Sequence, residues 1–472
     1  MMHYISTRGE GEPQTFDQVL LTGLAPDGGL YVPETWPQMN LETLKCKNYI
    51  EIAEEVMFPF VEGVIDQLEF RQILQDVYSA SNFRDERVTP LVKLSGYMDN
   101  RIYIMEQFHG PTIAFKDVAL QLLGRLFDHV LKKDNKRITI VGATSGDTGS
   151  AAIEGVKNCD NIDIFILHPK GRVSEVQRRQ MTSIISPAVH NIALEGSFDD
   201  CQNMVKAMFN DKNFRDDVHL SAVNSINWAR IMAQIVYYFT TALEAGAADG
   251  EQVSFVVPTG NFGNVFAAYC ASKMGLPIKL LGISTNKNDI LTRFFENGEM
   301  KIDESFATLS PSMDIQISSN FERYLFDLFG RDAAKLKETM DAFKDKGSFK
   351  VDDALMNIAH REFRAARADD EQTLALIKEC YEACDYVLDP HTAVGLEGAK
   401  AIAEETDGKV ILLATAHPAK FPDAVEKAIG IRPALPEHLA DLFEREEVMQ
   451  EQPHDLAKVQ AYVKEHSRAF TS

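Results

Sequence analysis

Val253-Ser-Phe-Val-Val-Pro-Thr-Gly-Asn-Phe-Gly-Asn264 leads from an apolar run through a glycine-bearing turn into a second apolar segment. The first run is short, rich in β-branched and aromatic side chains, and closed by proline and glycine, so it reads as a buried strand. The second, Val265–Met274, has helix length. Gly260 and Gly263 allow a ligand close to the backbone, and the N–H groups after them stand at a helix start. That is an anion cradle, best suited to a phosphate. A plain βα turn that uses glycine only for chain geometry is the other reading.

Working outward, the same alternation recurs. Arg101–Met105, Arg137–Val141, Ile162–Leu167, Ile278–Ile283 and Val410–Leu413 each read as a buried strand. Helical segments such as Asp117–Leu131 and Asn227–Leu243 lie between them. Strand-then-helix order predicts an α/β fold with mostly parallel sheets. Residues 1–95, turn-rich and then helical, read as a unit of their own; Lys335–Cys384 and the polar tail after Pro433 read as peripheral and helical.

In a parallel sheet ligands bind at the carboxyl ends of strands, which directs attention to two more turns. Ile138-Thr-Ile-Val-Gly-Ala-Thr-Ser-Gly-Asp-Thr-Gly149 ends a strand in hydroxyl donors, Thr144, Ser145 and Thr148, suited to a carboxylate or phosphate. It carries neither a P-loop ending nor G-x-G-x-x-G, and helix capping by Ser145 or Asp147 is the simpler reading. Val410-Ile-Leu-Leu-Ala-Thr-Ala-His-Pro418 puts Thr415 just past an apolar strand, where a capping role is the ordinary one.

Composition narrows the classes. With 48 basic and 70 acidic residues among 472 the formal charge is −22, and no basic block stands out to meet a nucleic acid. The apolar runs fall far short of a membrane span. Arg8, Glu10 and Glu12 stand where a signal peptide needs an apolar stretch, so a cytoplasmic protein is expected. Six scattered cysteines without C-x-x-C, and histidines without ligand spacing, support no metal.

Lys116 is the most telling residue. Ile113, Ala114 and Phe115 precede it and Val118, Ala119 and Leu120 follow, so it is expected to be partly desolvated. Desolvation favours the neutral amine that a Schiff base with an aldehyde cofactor requires. A lysine snorkelling from a helix start is the bland alternative.

Taken together, the lysine, the phosphate cradle, the hydroxyl-rich loop and the strand-end threonine resemble the site of the fold type II pyridoxal-phosphate enzymes, the tryptophan synthase β-like family. Within it the chain resembles the threonine synthase family over nearly its whole length. The likeness rests on Tyr4-Ile-Ser-Thr-Arg-Gly9, Gly23-Leu-Ala-Pro-Asp-Gly-Gly-Leu-Tyr-Val-Pro33, Phe115-Lys-Asp117 and Ala143-Thr-Ser-Gly-Asp-Thr-Gly-Ser150. It rests equally on Asn224-Ser-Ile-Asn227, Ser310-Pro-Ser-Met-Asp-Ile-Gln316 and Asp389-Pro-His-Thr-Ala-Val-Gly395. The longer form, with its own N-terminal domain, is the better match.

This resemblance implies two parallel-sheet α/β domains plus a mainly helical N-terminal domain, residues 1–95. The catalytic region would span 96–430, with a smaller subdomain at about 117–225, and 431–472 would be a helical tail. It implies that Lys116 holds pyridoxal 5′-phosphate, that Gly260, Asn261, Phe262, Gly263 and Asn264 bind its phosphate, and that Thr415 bonds the pyridine nitrogen. Thr144, Ser145, Asp147 and Thr148 would meet the substrate, and Asn224, Ser225 and Arg230 its phosphate; a salt bridge at the helix start is the other reading of Arg230. Many relatives have asparagine where this chain has Asp147, and a carboxylate there changes the hydrogen bonding near the ring. The implied reaction turns O-phospho-L-homoserine and water into L-threonine and phosphate, by a monomer or homodimer acting on a small molecule. A phospho-lyase releasing 2-oxobutanoate would carry the same loops.

Overall fold

The structure is a computed structural model in which residues 1–470 are described. By internal contacts the chain forms two units: residues 1–19, 23–109 and 225–433 make the first, and 20–22, 110–224 and the chain from 434 make the second.

At the centre of the first unit is a six-stranded sheet in the order Phe363–Arg367, Ile278–Thr285, Val253–Pro258, Lys409–Ala414, Ile102–Glu106, Leu91–Lys93. Only the last pair is antiparallel. Every residue of Val253–Pro258 is buried, because helices cover both faces of the sheet, and this explains its unbroken apolar run. The helix Pro390–Glu405 lies so close that a Cβ on Gly395 would stand 2.5 Å from Leu412 Cδ1.

The N-terminal segment does not separate from this unit by its contacts. Tyr4 donates its hydroxyl to the Phe60 carbonyl at 2.6 Å. Phe60, on the helix Tyr49–Val61, packs edge-on against Trp228 with ring centroids 5.6 Å apart. Arg8 grips Glu322 with two nitrogens, at 3.0 and 2.9 Å. These contacts join residues distant in sequence, which local reading of residues 1–95 could not anticipate.

The second unit holds a five-stranded, wholly parallel sheet: Gln450–Gln452, Val189–Leu194, Ile162–Pro169, Ile138–Ala143, Leu220–Ser221. Its helices Lys116–Asp134 and Asp147–Val156 meet backbone to backbone, a Cβ on Gly155 falling 2.3 Å from the Leu120 carbonyl oxygen.

All six expected strands form, and each ends one or two residues later than its apolar run. Three regions differ from expectation. Val189–Leu194 is an interior strand whose polar His190 and Asn191 break the apolar run that would have signalled it. Lys335–Cys384 is not continuous helix: Ser348–Lys350 and Phe363–Arg367 interrupt it, and the latter is an edge strand whose arginines disguise it. The tail likewise supplies an edge strand at 450–452, and its helix Leu456–His466 buries Val459 and Val463 in the core of the second unit. Among the described residues no helix is long and apolar enough to cross a membrane.

Candidate active site

In the first unit the order of strands reverses beside Val253–Pro258: Ile278–Thr285 follows it in sequence on one side, while the last strand, Lys409–Ala414, lies on the other. Such a switch point is where parallel sheets bind ligands. The register pairs Leu412 with Val256, which sets Thr415 level with Thr259. Thr415 is buried and does not cap the turn that follows; His417 does, its side chain accepting from the Ala419 N–H.

The turn 260–264 opens the helix Gly263–Lys273, whose first N–H groups have no partner within the helix and carry the positive end of its dipole. Phe262 takes a left-handed φ of 61°, held there by a ring buried among Phe321, Tyr324, Phe363 and Phe295. Asn264 is equally committed: its Oδ1 accepts from Tyr237 and, at 2.8 Å, from Tyr238, while its amide donates to Gln107 at 3.2 Å. Phe262 and Asn264, read from the sequence as cofactor-binding, therefore offer a ligand their backbone and not their side chains. Gly260 has a reason of its own, since a Cβ there would come within 3.0 Å of the Ser312 carbonyl oxygen.

Residues outside the sequence reading hold this turn in place. Ser318 donates to the Gly260 carbonyl at 2.7 Å, and Asn320 donates twice to the Asn261 carbonyl, at 3.1 and 3.0 Å. Fully buried Arg323 in turn donates to Asn320 Oδ1 and to the carbonyls of Ile226 and Tyr31. Their signal was Ser318-Ser-Asn320 ahead of an apolar helix, which reads as ordinary capping.

Arg230 sits in the first turn of the helix Trp228–Glu244. It is buried, its Nε has no partner, and burial pushes the guanidinium down to about 10. Among the described residues it makes no ion pair, so the helix-start salt bridge that would have explained it structurally is absent. A buried cation without a carboxylate is costly unless an anion comes to it. Ser225 belongs to the same unit, its hydroxyl 3.4 Å from that of Ser319, whereas Asn224 falls in the second unit.

The second unit carries the lysine. Lys116 opens the helix Lys116–Asp134 and is only 8% exposed. Ahead of it Ile113 adopts a φ of 55°, a rare conformation for a β-branched residue. The strained loop is pinned by Asp117, whose two oxygens accept from the N–H and hydroxyl of Thr112 at 2.8 and 2.7 Å. The apolar flanks are only half of the lysine's surroundings, because Nζ lies 3.2 Å from Asp147 Oδ2.

Asp147 opens the helix Asp147–Val156 at the end of strand Ile138–Ala143. Neither it nor Ser145 caps the turn. Thr144 does that work, its hydroxyl accepting from the N–H groups of Gly146 and Gly149, each at 2.9 Å. Ser145 is exposed and Thr148 half-buried, both unspent in this way.

Two units, each built on mainly parallel strands alternating with helices, give the α/β fold of the fold type II pyridoxal-phosphate-dependent enzymes. Residues 83–345 match the family model described as pyridoxal-phosphate dependent enzyme. Residues 3–78 match threonine synthase N terminus, and 392–463 threonine synthase, C-terminal. The threonine synthase of Pseudomonas aeruginosa is 54% identical over 98% of both chains. The crystal structure of pyridoxal-phosphate-bound threonine synthase from Brucella melitensis superposes with a TM-score of 0.96 at 50% identity, covering 99% of this chain and 100% of that one. The yeast threonine synthase structure gives 0.94 at 40% identity over 98% of each chain. The chain belongs to the threonine synthase family.

Proposed function

We propose that this protein converts O-phospho-L-homoserine and water to L-threonine and phosphate, in the cytoplasm, as a monomer or homodimer with pyridoxal phosphate as cofactor. The observation that carries the reading is Lys116: a buried lysine amine in the family's Phe-Lys-Asp context. The residues present fit the cofactor, with an amine for its aldehyde, a helix-start cradle of backbone N–H groups for its phosphate, and the Thr415 hydroxyl for its ring nitrogen. When bound, it supplies the electron sink that makes carbanions accessible.

The chain's own part is binding and proton transfer. Gly260, Asn261, Phe262, Gly263 and Asn264 hold the cofactor phosphate through their backbone. The hydroxyls of Ser145 and Thr148 face the substrate's carboxylate, with Thr144 keeping their turn in shape. Arg230, with Asn224 and Ser225, takes the substrate's phosphate; its unpaired guanidinium supports that role, since a planar fork suits phosphate oxygens. Lys116 Nζ removes the proton at Cα and afterwards one at Cβ. Phosphate leaves from Cγ, and water adds at Cβ once a proton has returned to Cγ.

Product analysis tests the reaction: purified protein given O-phospho-L-homoserine should release L-threonine and phosphate in equal amounts. Accumulation of 2-oxobutanoate instead would make it a phospho-lyase. Borohydride reduction followed by peptide mapping should place the pyridoxyl label on Lys116, and Lys116→Ala should have no measurable turnover. A label on any other lysine would overturn the assignment.

A further inference from the structure

Both oxygens of the Asp147 carboxylate are in use, and in different ways. Oδ2 faces Lys116 Nζ at 3.2 Å, and Oδ1 accepts from Gln177 Nε2 at 2.8 Å. Gln177 is itself fixed, its Oε1 accepting from the Ser174 hydroxyl at 2.9 Å. It is packed so closely on the turn that a Cβ at Gly146 would stand 2.4 Å from its Cδ. Gly146 also has a φ of 143°, so glycine is required there both for the backbone and to admit Gln177. All of these residues lie within the second unit.

From these contacts we infer that Asp147, oriented by Gln177, is the counter-charge of the lysine nitrogen, and that Gln177 is a positioning residue for the reaction. The inference rests on Lys116 being the cofactor lysine, as proposed above. Neighbouring groups of the second unit are either engaged elsewhere or uncharged. Asp117, adjacent to the lysine, has both oxygens engaged by Thr112. From the helix Glu175–Thr182, the side chains that reach this place, Gln177 and Gln180, carry no charge, and Arg178 is paired with Glu447. The Phe115 ring, 5.0 Å from Nζ, supplies an apolar wall that also tolerates a cation.

The proton accounting shows what the carboxylate does. When Nζ takes the proton from the substrate's Cα, the C–H bond breaks, its electron pair stays with carbon, and an N–H bond forms. The lysine then bears a positive charge in a buried place, where an unpaired charge is costly. Asp147 Oδ2 balances it, and does so again each time the amine picks up a proton later in the sequence. The amide of Gln177 occupies the other oxygen and so keeps Oδ2 turned to Nζ. An asparagine at 147 could accept a hydrogen bond but could not balance charge.

The test uses holoenzyme of wild type, Asp147→Asn and Gln177→Leu, following the visible absorbance of the lysine-bound cofactor against pH. The nitrogen at Lys116 should give up its proton at lower pH once the anion is gone. The midpoint should fall by about one pH unit or more in Asp147→Asn, and in the same direction by less in Gln177→Leu. A second reading, wash-in of deuterium at Cα of L-threonine in heavy water, should slow about tenfold or more in Asp147→Asn. An unmoved midpoint with the pyridoxyl label still on Lys116 would overturn the inference and leave the proposed function standing. A label on another lysine would instead remove the Lys116 assignment beneath it. Should Asp147→Asn fail to fold, Gln177→Leu decides, since it leaves the carboxylate in place and removes only its partner.

Discussion

Arg230 shows how a single residue can be read at two depths. The sequence places it in an Asn-Ser-x-Asn-x-x-Arg run at a helix start, where phosphate binding is the favoured reading and a salt bridge the alternative. The structure removes the salt bridge and leaves a buried guanidinium whose Nε has no partner. A cation so placed works against the free protein's stability and toward anion binding. Arg230→Met should therefore melt no lower than wild type, while added inorganic phosphate should raise the melting temperature of wild type only. The same variant should lose roughly tenfold to a hundredfold in kcat/KM for O-phospho-L-homoserine, as expected for about 1.5–3 kcal/mol from a charge-assisted contact. Equal protection of both proteins by phosphate would mean that other residues hold the anion. The burial of Lys116 was legible from its apolar neighbours, but its role was not, since by themselves they fit a snorkelling lysine as well or better, and its carboxylate partner was not legible at all. Asp147 is 31 residues away, and nothing local signals which side chain a turn will aim at a distant amine.

Elements were most legible where burial made their sequences monotonous. Most strands covered on both faces announced themselves as apolar runs, the exception being Val189–Leu194, which His190 and Asn191 break up, and the turns that end Ile138–Ala143, Val253–Pro258 and Lys409–Ala414 were found because such runs stop abruptly. Edge strands were not legible: Phe363–Arg367 carries arginine at its second and last positions, and Gln450–Gln452 is wholly polar. Only pairing to a neighbour makes either a strand. Nor could the anchoring of the 260–264 turn be foreseen, since Ser318 and Asn320 reach it from an element some sixty residues on. Helix contact in the second unit gives a prediction at this scale. Gly124 and Gly155 let two helices touch through their backbones, with a Cβ on Gly155 meeting a carbonyl oxygen at 2.3 Å. A backbone atom cannot swing aside, so Gly155→Val must push apart the helices that begin at Lys116 and Asp147. It should cost about 3 kcal/mol of stability and, unlike a surface substitution, also impair cofactor retention. Chemical denaturation and the visible absorbance of the purified variant check both, and a variant of normal stability would show that the helices separate without penalty.

For the whole molecule the governing quantity is net charge. A chain at −22 repels a phosphorylated substrate at long range, while the groups proposed to receive the phosphate act only at contact. The two effects respond differently to salt. Repulsion summed over the surface operates beyond the Debye length, about 8–10 Å at physiological ionic strength, and is screened readily. A buried guanidinium works at contact distance in low dielectric and is screened much less. Raising ionic strength with a non-competing salt should therefore first increase kcat/KM for O-phospho-L-homoserine, by about twofold to tenfold, through faster encounter. The gain should level off once the surface field is damped, and kcat should stay constant throughout. Chloride is the suitable anion, because phosphate or sulfate would compete directly for Arg230. The opposite trend, a steady fall of kcat/KM with chloride, would mean that a local positive field outweighs the acidic surface and steers the substrate in. That result would place the anion's recognition on exposed basic residues rather than on the buried arginine.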